Sequence, residues 1–222
     1  MKLLAIDTST DRATLAIAIG SKLYSEEQQG IREHAKLLLP MIERLLAQAG
    51  LSFNQLDAIA FGCGPGSFTG LRIACSVAKG LAYAHDLPLY PVSSLATIAY
   101  DAHQASEAGV DVLAMIDARM QQVYWGHFSG ESFNAAEHVT AAVDIKLSTS
   151  KPVILAGVGF EAYTPELSAV LQSQIVKQSV VFPNASAMIR LVQSGKIKAV
   201  SALEALPVYV RDKVAQEGAS RG

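Results

Sequence analysis

Apolar and polar positions along this chain fall into short runs whose period changes several times, and each change marks an element. Residues 2–6 form an apolar run, 13–19 a second beyond the polar turn at 7–12, and 22–28 a third after Gly20 and Ser21. Each is too short for a helix, so three consecutive strands open the fold. Strands are also predicted over 58–61 and 88–92, with helices over 34–49 and 68–84 and another from about 94. A second series then begins: strands over 111–116 and 122–129 around the turn at 117–120, a strand over 153–156, and helices over 159–170 and 184–194. The chain is therefore α/β in two parts. Strand, Asp-bearing turn and strand recur in both halves, at Asp7 and Asp117, which points to a duplicated plan. The hinge candidates are the loop-like stretches near 101–110 and 196–207.

Two of the helices carry more apolar surface than one core face needs. In the first, Leu37, Leu38, Leu39, Met41, Ile42, Leu45, Leu46 and Ala49 cover about 200° of the surface, against the ~100° stripe of a helix on one sheet. Pro40 inside this pattern predicts a kink or a later start. Between Gly70 and Ala84 only Arg72 and Lys79 are charged, and Gly70, Ala74, Ala78 and Ala82 form a row of small side chains at four-residue spacing. Such rows are the ridges along which helices pack closely. The second layer is either the chain's own or a partner's. A membrane span is not expected, because the longest run without a charged residue is 14 residues, short of ~18.

Between strand 58–61 and its helix lies a glycine-rich corner, Gly62, Gly64, Pro65 and Gly66, with Ser67 or Thr69 as helix cap. Amides converging at a helix N-terminus can cradle a phosphate, and three glycines can equally make a tight turn. Leu71 and Arg72 follow where a P-loop needs Lys and Ser or Thr, and Thr69 stands where a dinucleotide fingerprint needs its third glycine. Neither nucleotide motif is present.

Composition narrows the chemistry. Half of the 222 residues are hydrophobic, enough for a sizeable core, and the net charge of -2 argues against a free-standing nucleic-acid binder. Cys63 and Cys75 read as reduced and mostly buried, and the N-terminus has too short an apolar run for a signal peptide, so a cytoplasmic protein is expected. His34, His85, His103, His127 and His138 are scattered and match no metal-ligand spacing. No metal site is expected. Asp117 and Arg119 can close a turn or pair across a subunit boundary, and Arg32, Glu33 and His34 can cap a helix or rim an interface.

Blocks at 6–17, 32–46, 62–74 (GCGPGSFTGLRIA), 78–82, 91–95, 116–126 (IDARMQQVYWG) and 207–215 resemble the TsaB (YeaZ) family, in family order over almost the whole chain. The resemblance implies an actin-like, ASKHA-type α/β fold of two subdomains, each a mixed sheet with flanking helices. The expected division is 1–103 and 104–205, with 206–222 packing back on the first subdomain. It further implies a noncatalytic dimerisation subunit of the machinery that makes threonylcarbamoyladenosine in tRNA. Its partners would be the paralogue TsaD, which carries the transferase site, the ATPase TsaE, and a second copy when alone, with tRNA reached only through the complex. Ala74 and Gln122 depart from the family's usual Gly and Glu. The two metal-binding histidines of TsaD-like chains fall here on Ser94 and Ile98.

Asp7, Thr8 and Ser9, with Gly64 and Gly66, then stand where actin-like ATPases hold phosphate, as a vestigial site or as a plain polar turn. No cofactor is expected on the chain itself, with ATP or ADP at most at the boundary with partner subunits. The expected partner interface is the helix pair, through His34, Leu38, Met41, Leu45, Gly70, Leu71, Ala74, Ala78 and Ala82. The competing function is an enzyme, a small ASKHA phosphotransferase or a glycopeptidase-like hydrolase. A hydrolase needs an activated nucleophile, for which the sequence offers no convincing set.

Overall fold

The computed structural model describes residues 1–30, 34–130 and 132–210. Strands β1 (Lys2–Asp7), β2 (Arg12–Ile19) and β3 (Lys22–Gln29) form an antiparallel meander. Helix α1 (His34–Ala49) leads to β4 (Ala58–Gly64), α2 (Phe68–His85) to β5 (Leu89–Ser93), and α3 (Ser94–Gln104) closes the first half. β4 and β5 add in parallel, giving the order β3-β2-β1-β4-β5.

The second half repeats this plan. β6 (Asp111–Asp117), β7 (Val123–Phe128) and β8 (Glu137–Thr140) are antiparallel, while β9 (Val153–Val158) and β10 (Ile175–Val180) join in parallel, in the order β10-β9-β6-β7-β8. Two mixed five-stranded sheets with flanking helices are the architecture that the family resemblance implies. The helix expected over 159–170 does not form. A single 3-10 turn, Thr164–Glu166 with Pro165 inside it, forms there, and a short helix α4 (Ala169–Gln174) follows, before α5 (Ala185–Gln193).

Three cores result. On the outer face of the first sheet, Leu4, Ile6, Leu15, Ile17, Ile59 and Phe61 pack under α1 and α2. The outer face of the second sheet is covered around Phe160, Leu167 and Leu171. Between the sheets lies the largest core, holding α3 and α5. Its floor is small by design of the strand register: Ala60, Ala5 and Ala16 are paired neighbours in the first sheet, and Ala156, Ala114 and Gly126 in the second. Side chains alternate across a strand, so these small residues share the inner face with Leu3, Val112, Ile116 and Ile154, while Leu4, Ile6, Leu15, Ile17, Leu113, Met115 and Leu155 turn outward.

These inner helices change the expected division of the chain. α5 packs on β1, β2 and β4 of the first sheet, and α3 packs on β6, β7 and β9 of the second. A boundary at 103/104 therefore does not separate two self-contained halves, because each half's last helix serves the other half's sheet. The stretch before the C-terminus also returns to the first sheet. Val200 bridges Leu89, Lys79 Nζ donates to the Ala205 carbonyl at 3.0 Å, and the Val208 amide donates to the Cys63 carbonyl at 2.7 Å. Residues 211–222 of the expected tail lie outside the described residues. Among the described residues no helix is long and apolar enough to cross a membrane.

Candidate functional site

The corner and the Asp7 turn meet, as the sequence suggests, but they fill each other. Asp7, Thr8 and Ser9 are buried, with at most 1 % of their surface exposed. The Ser67 amide donates to the Ser9 carbonyl at 2.7 Å, and the Thr8 hydroxyl donates to the Gly70 carbonyl at 2.6 Å. The Gly70 amide is taken by the Ser67 side chain at 3.3 Å, so Ser67 is the helix cap of the two candidates, Ser67 and Thr69. A β-carbon on Gly66 would stand 2.4 Å from the Ser9 carbonyl oxygen, and one on Gly70 only 1.8 Å from that of Thr8. Gly64, at φ +117°, faces instead the Val208 carbonyl and Leu71. These glycines admit the chain's own turn and tail. The residues do not fit a phosphate, since the turn already occupies the space against the helix N-terminus.

Asp7 is the electrostatic oddity of this turn. Its Oδ1 accepts from the Ser9 amide at 2.8 Å and the Ser9 hydroxyl at 2.7 Å, while Oδ2 is buried without a partner among the described residues. Burial pushes its pKa from 3.8 up to about 6, against the lowering effect of the Ser9 bonds. A β-carbon on Gly62 would meet Oδ2 at 2.0 Å, so Gly62 is required by the carboxylate.

The corresponding turn in the second half differs. Asp7 shares the inward row of Ala5, whereas Asp117 follows inward-facing Ile116 and turns outward, where it accepts from the Tyr163 hydroxyl at 2.7 Å. Arg119, Met120 and Gln121 adopt φ of 63°, 53° and 58°. Consecutive left-handed residues without glycine are costly. The Arg119 amide donating to Asp117 at 2.7 Å and the Arg119–Asp117 ion pair at 3.4 Å help to hold the turn.

The expected partner interface needs correction. Leu38, Met41, Leu45, Gly70, Leu71, Ala74, Ala78 and Ala82 are all buried within the chain itself. The reason is the small-residue row: it lets α2 lie close on β4 and β1, so the row faces the sheet. His34 opens α1, but its side chain lies outside the described residues, as do Arg32 and Glu33. What α2 presents to solvent is its opposite face. Phe68, Thr69, Arg72, Ser76, Gly80 and Tyr83 are exposed and Ile73 and Val77 half-buried, with Tyr83 81 % accessible. A groove of about 420 Å³ runs along Phe68, Thr69, Arg72, Ile73, Ser76 and Val77. α1 continues through Pro40, which lies on its solvent side with Leu39 and Glu43.

Ser94 and Ile98 are both fully buried, Ile98 within the central core. Cys63 is held protonated by burial, its thiol pushed up to about 12. One polar cluster escaped the sequence reading. Buried Asp111 accepts from the Ser129 hydroxyl at 2.8 Å and the Thr149 hydroxyl at 2.9 Å, with His127 Nε2 at 2.9 Å and Lys151 Nζ at 3.4 Å. Its members come from β6, β7 and a distant loop, so no local spacing announces them. Four partners draw the carboxylate below its usual range despite burial, which makes it a staple at the start of the sheet's central strand.

The TsaD family, described as tRNA N6-adenosine threonylcarbamoyltransferase, matches residues 15–217. The Haemophilus influenzae tRNA threonylcarbamoyladenosine biosynthesis protein TsaB is 36 % identical over 96 % of this chain and 95 % of its own. Its Escherichia coli counterpart is 34 % identical over 97 % of this chain and 96 % of its own. The solved structure of YeaZ from Pseudomonas aeruginosa superposes with a TM-score of 0.83 at 34 % identity, over 94 % of this chain and 99 % of that one. With full-length identity and fold in agreement, the chain belongs to the TsaB (YeaZ) family of tRNA threonylcarbamoyladenosine biosynthesis.

Proposed function

We propose that this chain is the noncatalytic dimerisation subunit of the threonylcarbamoyltransferase complex, docking onto TsaD through the solvent face of α2, with TsaE joining the pair. The observation that carries the reading is that face: an apolar groove flanked by Phe68 and Tyr83 on a helix whose other side is spent on the sheet. Aromatic residues and arginine at the centre of an apolar patch are the usual anchors of protein interfaces. The match of the TsaD family to residues 15–217 supports a partner of related fold, which can offer a helix pair of its own.

A noncatalytic role agrees with the closed Asp7 turn and with the protonated Cys63. A phosphotransferase would need that turn open to a phosphate. In this reading the complex is cytoplasmic, tRNA is reached through TsaD, and ATP or ADP belongs to the boundary with partner subunits. Reconstitution tests it: TsaD, TsaE, the threonylcarbamoyl-adenylate supplier and tRNA, with and without this chain. Modification that depends on the chain, which alone turns over nothing, is the expected result. Undiminished modification in its absence overturns the proposal.

A further inference from the structure

At the N-terminal end of the α2 groove, three side chains from distant parts of the chain build one unit. The Arg72 guanidinium lies 3.8 Å above the Phe68 ring centre, and its Nε donates to the Tyr209 hydroxyl at 3.1 Å. The Tyr209 and Phe68 rings are 5.5 Å apart. Tyr209 is placed by the returning C-terminal segment, through the Val208 amide on the Cys63 carbonyl. The guanidinium is thus held by a ring beneath and a hydroxyl at its side. Its two terminal amines take no partner among the described residues, and Arg72 is exposed.

The charges around it are one-sided. α2 contains no acidic residue at all, and its other cation, Lys79, is occupied by the Ala205 carbonyl. A two-fold pairing of α2 against α2 therefore brings an acid-free helix to an acid-free helix, and the only carboxylate a second copy can add from α1 is Glu43. An arginine pre-oriented by stacking and by a bond at Nε offers the edge of its two terminal amines, which matches a carboxylate.

Resting on the reading of this face as the TsaD-docking surface, we infer that Arg72 is its charged anchor. It receives a carboxylate from a helix of the hetero-partner whose flanking apolar side chains fill the groove beside Ile73 and Val77. Tyr209 is a positioning residue that fixes the guanidinium.

The test is calorimetric titration of the full chain with TsaD at about 50 and 300 mM salt, alongside sedimentation of the chain alone. The unaltered chain should bind more weakly at high salt. Arg72→Met should bind at least tenfold more weakly at low salt and lose most of that salt dependence, with its melting temperature and self-association unchanged. Tyr209→Phe should lose a few-fold at most, keeping the salt dependence. If Arg72→Met binds TsaD as the unaltered chain does, or loses equally at both salt concentrations, the anchor is refuted while the docking surface stands. If it weakens self-association as much as TsaD binding, the carboxylate comes from a second copy and the inference fails. If the unaltered chain does not bind TsaD, the reading on which the inference rests fails with it.

Discussion

Asp7 concentrates the tension between stability and inheritance in this fold. One carboxylate oxygen is bonded by Ser9 and the other is buried without a donor among the described residues, so the ionised form is disfavoured and the folded pKa rises from 3.8 to about 6. A raised folded pKa means that the stabilising contribution is complete below the unfolded value of 3.8 and is lost as pH climbs through 6. Ionised Asp7 therefore costs stability at neutral pH, on the order of 2–3 kcal/mol. Asp7→Asn keeps an acceptor for Ser9 and removes the buried charge. Its melting temperature should exceed that of the unaltered protein at pH 7.5 by several degrees, with the gap closing by about pH 4. Equal melting at both pH values would show that Oδ2 has a partner. The family resemblance groups Asp7 with the corner but is silent on which side of the turn is open, since that depends on carbonyls of Thr8 and Ser9 meeting glycines some 60 residues away.

At the scale of the element, α2 supplies a contrast within one helix. Gly70→Ala drives a β-carbon to 1.8 Å from the Thr8 carbonyl oxygen, whereas a β-carbon on Gly80 meets nothing within 4 Å. Chemical denaturation should therefore show Gly70→Ala destabilised by several kcal/mol and Gly80→Ala stabilised by up to about 1 kcal/mol, the difference in helix propensity. Periodicity made the helix legible, and residue type narrowed its cap to Ser67 or Thr69, of which Ser67 serves. It could not say which face is covered, and the small row that reads as an intermolecular seam turns out to be the contact with the sheet. By the same argument Ala78→Arg should unfold the monomer. β8 and β10 were invisible for a different reason: they are edge strands, and sequences such as EHVT and IVKQSV lack the buried runs that betray β1 or β6. The returning segment is testable too. Ending the chain at Ala205 removes the bonds of Val208 and Tyr209 to Cys63 and Arg72, and a lowered melting temperature is expected.

Across the whole molecule, two copies of one strand order face each other, with α3 and α5 exchanged between them over floors of alanine and glycine. That plan was legible from the recurring Asp-bearing turns and from the motif blocks, but the exchange was not, because each inner helix is apolar whichever sheet it serves. The outer face of α1 and α2 on the first sheet keeps apolar area exposed, at Leu39, Phe68 and Tyr83, and it is the face through which docking is proposed. The most direct test of that claim is sedimentation velocity of the chain mixed with TsaD, using Ser76→Arg to place a long cation in the exposed groove. The unaltered chain should sediment with TsaD as a heterodimer. Ser76→Arg, melting at the unaltered temperature, should sediment apart from it. A Ser76→Arg chain that pairs with TsaD as readily as the unaltered one, or an unaltered chain that never pairs, contradicts the account.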